Sequence, residues 1–147
     1  MGRQSSEMRD VPEEIHDRVR SITCRIVDAT LADDHDRSSA FVQELREYYE
    51  ELAAAGRSDP FVTETLADFL DDRTEAIPLY ELSLEQALRF PGEPRYTKKL
   101  SLAETLLGLG QRERGLAYLS QGRAEAVCLG DDYWTGRADE IFEELAA

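Results

Sequence analysis

A chain of 147 residues, 33% charged and 41% hydrophobic, has the balance of one folded domain rather than a disordered segment. A fold of this length buries roughly 70% of the surface its unfolded chain exposes, so neither a metal nor a disulfide is needed to hold it. Thirty-one acids against 17 bases leave a formal charge of −14, which argues against nucleic acid as the partner.

The densest basic stretch, Arg95 with Lys98 and Lys99, is too small for a phosphate-binding surface. The acidic excess serves solubility or draws in a basic partner. No run approaches the ~18 apolar residues of a membrane span, and Met1 to Arg9 lack an apolar signal core. The expectation is a cytoplasmic protein with residues 1–11 as a loose tail. Cys24 and Cys128 stand among apolar neighbours and are expected as buried thiols, although spacing alone leaves a disulfide open.

Helical periodicity runs through almost the whole chain, and β alternation is nearly absent. Pro12, Glu13 and Glu14 open the first helix, whose stripe is Ile15, Val19, Ile22 and Ile26. Phe41, Leu45, Tyr48 and Leu52 form a second stripe that ends at Gly56. Asp59-Pro60 starts a third helix with Phe61, Leu66, Phe69 and Leu70. Thr74 is the expected cap of a fourth, carrying Ile77, Tyr80, Leu84 and Leu88, with Pro78 near its first turn. The sharpest break is Phe90-Pro91-Gly92-Glu93-Pro94. A fifth helix shows Leu100, Ala103, Leu106 and Leu107 and stops at Gly110. A sixth carries Leu116, Leu119, Ala126 and Val127 and stops at Gly130. The last, short one holds Ala138, Ile141, Phe142 and Leu145. About seven helices with short connections predict an all-α, up-and-down arrangement.

Residues 102–119 run Leu102-Ala103, Leu106, Gly110, Gly115 and Leu119. This segment resembles a tetratricopeptide repeat, in which small residues let two helices approach and large ones fill the groove between them. An earlier copy is Leu66-Ala67, Phe69-Leu70, Ala76, Tyr80 and Leu84. The small residues Ala76 and Gly115 stand 39 apart, against the family's usual 34. A weaker copy spans residues 22–52 with Ala40 in the small position, although Asp28 stands where a small residue belongs. The resemblance implies helical hairpins over about 12–56, 59–90 and 95–130, closed by a capping helix over 132–146 and stacked as a short right-handed solenoid.

Catalytic chemistry is thin in this sequence. A nucleophile needs a base, and the two histidines are His16, early in a helix, and His35, in the polar turn Asp33-Asp34-His35-Asp36. That turn lacks the alternation of a calcium loop and any paired-histidine spacing. No glycine-rich phosphate loop opens a helix. The expectation is therefore no catalytic residue, no metal and no cofactor, with a carboxylate-based enzyme as a remote alternative. Tyr133-Trp134 is either an anchor for the cap or an exposed aromatic contact.

In the family it resembles, the first helices of successive repeats line a concave groove. Carried over by register from Leu66 and Leu102, the groove residues become Glu64, Asp68, Asp71, Thr97, Ser101 and Glu104, with Arg25 from the weak first copy. The set is mostly acidic. Thr97 and Ser101 stand where a clamp for acidic chaperone tails would carry bases, so that role is not expected. The resemblance points to a protein or peptide partner of basic character. It fits an adaptor, or a bacterial immunity-type inhibitor of a basic toxin. The competing expectation is self-association through the open ends of a short stack.

Overall fold

The computed structural model describes residues 8–147. Seven helices follow one another: α1 (Glu13–Leu31), α2 (His35–Ala54), α3 (Pro60–Phe69), α4 (Arg73–Ala87), α5 (Tyr96–Gly108), α6 (Arg112–Cys128) and α7 (Asp132–Ala146). No strand occurs among the described residues, so the fold is all-α as the periodicity predicts.

Local chemistry explains where the helices begin. Asp34, Asp59, Asp72 and Asp131 each precede a helix, and each carboxylate accepts a first-turn N–H. These bonds satisfy donors that a helix start would otherwise leave unpaired. The expected cap Thr74 is in fact a donor: its N–H and hydroxyl reach Asp72 at 3.0 and 2.8 Å, so α4 begins at Arg73. Pro78 consequently falls in the second turn of α4, on its exposed side. At the other ends, Gly56, Gly110 and Gly130 take positive φ, and the next residue's N–H reaches back to Leu52, Leu106 and Ala126. This closes the last turns of α2, α5 and α6. Asp33, at φ 57°, does the same work after α1 without a glycine to signal it.

The core divides into three overlapping clusters. The first joins α1, α2 and α3 through Ile22, Ile26, Leu45, Tyr48 and Leu66. The second joins α3, α4 and α5 through Ala67, Ala76, Tyr80, Leu102 and Leu106. The third joins α5, α6 and α7 through Leu100, Ala103, Leu119, Ala138 and Ile141. Helices α3 and α5 contribute to two clusters each. Every helix packs on its chain neighbour, and α1 also meets α3, as α5 meets α7.

Helices α5 and α6 approach closely at two glycines. A Cβ at Gly115 would stand 2.6 Å from Leu107 Cγ, and one at Gly122 would stand 2.7 Å from Leu100 Cγ. Gly115 is therefore small for the reason its position predicts. Ala40, the small residue of the weak first copy, is exposed instead, because it lies off the α2 stripe of Leu45, Tyr48 and Leu52.

Other expectations change with the geometry. Cys24 and Cys128 are free and exposed. Cys24 falls two residues beyond Ile22, between the ridges of the α1 stripe. Val127 is 51% exposed, because the buried face of α6 is Gly115, Leu119, Gly122 and Ala126. Tyr133 and Trp134 part company: Trp134 packs on the third cluster, while Tyr133 is 74% exposed. Tyr96, near the start of α5, donates to the cap Asp131 at 2.6 Å and so links α5 to the start of α7.

Residues 1–7 of the expected tail lie outside the described residues. Residues 8–11 are fastened to the body. The Arg9 guanidinium pairs with Asp59 and, at 2.8 Å, with Glu93, and it stacks over Phe90. The Arg9 N–H donates to the Gly92 carbonyl at 3.0 Å. One arginine thus ties the start of α3 to the loop between α4 and α5. Arg9→Ala is expected to lower the unfolding free energy by about 1–2 kcal/mol, because two largely buried carboxylates lose a charged donor. A urea titration followed by circular dichroism measures this as a lower midpoint with unchanged slope.

Candidate functional site

A cleft opens between α3, α4 and α5. Asp68 is the last residue but one of α3, and Ser101, Glu104 and Thr105 form a ridge along α5. Arg73, the first residue of α4, holds the three helices together. Its Nη1 donates to the carbonyls of Ala67 and Leu70, both at 2.9 Å. A cation there answers the unpaired carbonyls at the negative end of α3. Its Nη2 reaches Thr105 Oγ1 at 3.0 Å and the Tyr80 hydroxyl at 3.4 Å. The Tyr80 hydroxyl in turn donates to Asp68 Oδ1 at 2.5 Å.

These groups, with Ser101, Glu104, Gly108 and Leu109, line a cleft of about 420 Å³. Asp68 is exposed as a residue, and its carboxyl accepts from the Tyr80 hydroxyl where both line this cleft. Desolvation pushes that carboxyl up to about 6, and the nearby Glu64 adds to the rise. The Tyr80 hydrogen bond and the charges of Arg73 and Lys98 pull the other way without overcoming it. Burial and the Asp68 charge together hold the Tyr80 phenol well above its ordinary range.

The seven residues expected at a groove are not all brought together. Asp68, Ser101 and Glu104 line the cleft. Glu104 also pairs with Arg137 of α7, which bonds Glu140 at 3.0 Å. Glu64 and Thr97 meet each other at 2.9 Å and form the next layer along α3 and α5. Glu64 there accepts from Lys98 at 2.8 Å, and Lys98 also donates to Glu93 at 2.6 Å and to the Pro94 carbonyl at 2.8 Å. Asp71 is exposed and lines a recess facing α1 and α2. Arg25 stands apart from the cleft: it turns toward α2, pairing with Glu44 at 2.6 Å and lying over Phe41.

The acidic set is thus partly answered from within, by Lys98 and Arg137. Lys98, read in the sequence as part of the small basic stretch with Arg95 and Lys99, is fully buried. Lys99 is 8% exposed and pairs with Glu125. Arg73, Tyr80 and Thr105 escaped sequence reasoning as cleft residues. Arg73 reads as part of a polar turn, and Tyr80 reads as core, which its ring is.

Elsewhere, His35 approaches Asp33 at 3.3 Å with both side chains in solvent. No group of three or more His, Cys, Asp or Glu side chains among the described residues is arranged to hold a metal ion. No helix among them is long and apolar enough to cross a membrane. Compared with protein-family models, curated proteins and solved structures, the chain matches none.

Proposed function

We propose that this chain is a protein-interaction module of the tetratricopeptide kind, and that it takes a cationic side chain of a protein or peptide partner into the α3–α5 cleft. The observation that carries the reading is that Asp68 and Glu104 line one open cleft in which the Arg73 guanidinium is already engaged by two carbonyls and Thr105. Three core clusters that pass α3 and α5 from one to the next support the stacked-hairpin reading. A net charge of −14 favours encounter with a basic partner. An adaptor or an immunity-type inhibitor of a basic toxin is the biological setting that suits such a surface.

Selection from a displayed random-peptide library tests the proposal. Peptides rich in Arg and Lys are expected to emerge with the native chain and to be lost with Asp68→Asn and Glu104→Gln combined. Selection indifferent to these two changes would refute it.

The weakened acidity of Asp68 gives a pH signature. Its carboxyl titrates above the ordinary carboxylate value in the folded chain, so ionisation is disfavoured there relative to the unfolded chain. Its contribution to stability is therefore greatest below the unfolded value near 4 and declines as pH rises through about 6. A cationic ligand favours the ionised form, so its affinity is expected to rise between about pH 5 and 7. Asp68→Asn is expected to flatten both trends. NMR titration of the Asp68 carboxyl carbon reads the midpoint directly.

A second reading, self-association, draws on the exposed Val127, Leu129 and Tyr133 around the α6–α7 turn. Light scattering over a range of concentrations separates the two: a mass that does not change with concentration removes this alternative.

A further inference from the structure

A trough of about 450 Å³ runs between α1 and α3. Its walls are mainly apolar: Cys24, Val27, Phe61 and Phe69 contribute, and His16 stacks on Phe61 at one end with ring centroids 6.0 Å apart. Val27 is 44% exposed although valine is ordinarily interior, and Cys24 is open beside it. Val27 and Phe69 also line the recess where the end of α1 meets the end of α3, beside Leu31, which is 81% exposed. That recess shares Asp68 and Arg73 with the cleft described above. The three depressions therefore lie side by side across α3: the trough is mainly apolar, and the cleft carries Asp68 and Glu104.

Charge along the three says what kind of molecule fits them. Asp28 and Arg20 both line the trough and offset one another there, whereas Asp68, Asp71 and Glu104 outnumber Arg73 along the recess and the cleft. Arg73 is occupied with two carbonyls and Thr105. An occupant must therefore bring an apolar group to one end and positive charge to the other. Neighbouring helix axes lie about 8–10 Å apart, so the step from trough to cleft is about one such spacing. An extended chain advances about 3.3 Å per residue and covers that step in about three residues.

We infer that the α1–α3 trough seats a large apolar side chain of the bound partner, and that the partner's recognition element is an extended segment carrying this residue about three positions from an Arg or Lys. The inference rests on the reading that the α3–α5 cleft takes the cationic side chain. The apolar residue supplies the buried anchor, and the cation fixes register.

The test uses the full chain and the displayed random-peptide library. Winning sequences are expected to hold Leu, Phe or Met three or four positions from Arg or Lys. Their affinity, measured by fluorescence anisotropy, is expected to fall about tenfold or more with Val27→Asp, since a carboxylate in the trough opposes apolar burial. Val27 is half in solvent, so the helix should persist, and circular dichroism checks that. Alkylation of Cys24 with a bulky maleimide in a Cys128→Ser chain blocks the same trough without touching the fold's core, and should weaken binding equally. Basic peptides without an apolar partner residue, bound equally by the native and Val27→Asp chains, would overturn this inference and leave the cleft reading standing. No enrichment of cationic residues would overturn both. A dimer that Val27→Asp dissolves would assign the trough to a second copy of the chain and end the peptide reading.

Discussion

Lys98→Met is expected to lower the unfolding free energy by about 3–5 kcal/mol, the usual cost of stripping one partner from a buried ion pair. The ammonium of Lys98 is fully buried and spends its donors on Glu64, Glu93 and the Pro94 carbonyl. Methionine fills much the same volume but leaves both carboxylates facing an apolar group. Glu93 suffers most, since its side chain is 4% exposed and retains only Arg9. Thermal melts followed by circular dichroism should show a fall on the order of 10 °C. Adding Glu64→Gln and Glu93→Gln to Lys98→Met should recover part of the loss, because neutral amides carry a smaller desolvation penalty. A melting temperature unchanged by Lys98→Met would mean that water reaches this site and that the network holds nothing together.

Gly122→Val should cost about 2–3 kcal/mol, in the upper part of the range for overpacked cores. A Cβ at this position meets Leu100 Cγ at 2.7 Å, and the Leu100 backbone nitrogen is 3.4 Å away. Leu100 is 1% exposed and has nowhere to retreat. Gly115 offers a control. Its Cβ would meet Leu107, which is only partly buried and can swing outward, while the backbone contact, 3.3 Å to the Ala103 carbonyl oxygen, is similar to the one at Gly122. Gly115→Ala should therefore be milder than Gly122→Ala, since both gain similarly in helix propensity. Chemical denaturation of the pair of alanine variants measures the difference. Equal costs would place the constraint in the backbone rather than in the leucine side chains.

Much of the fold was legible because most helices announce their buried face at a regular spacing. Ile15, Val19, Ile22 and Ile26 fall on the core side of α1, as their intervals require. Gly56, Gly110 and Gly130 mark the helix ends they were read to mark, with φ near 70–80°. Gly115 shows that a small residue can be read as a close approach. What escaped was partnership over distance. Arg9 and Asp59 are 50 residues apart, and Lys98 and Glu64 are 34 apart. In a chain with 31 acids, no spacing singles out these pairs. The same excess of carboxylates made a groove set easy to nominate and hard to sort. Asp68, Ser101 and Glu104 converge, whereas Arg25 answers Glu44 within its own hairpin. Tyr80 was invisible as a cleft residue because a ring in the core and a hydroxyl at the cleft belong to one side chain.

Sharing α3 and α5 between adjoining cores also decides how injury spreads through the molecule. A lesion in α7 loosens Leu100 and Ala103 but leaves the packing of Ile22 against its neighbours untouched, since no cluster reaches from one terminus to the other. A lesion in α3 or α5 is felt on both sides at once. Unfolding under strain is therefore expected to run inward from the ends, with α3 and α5 the last to separate.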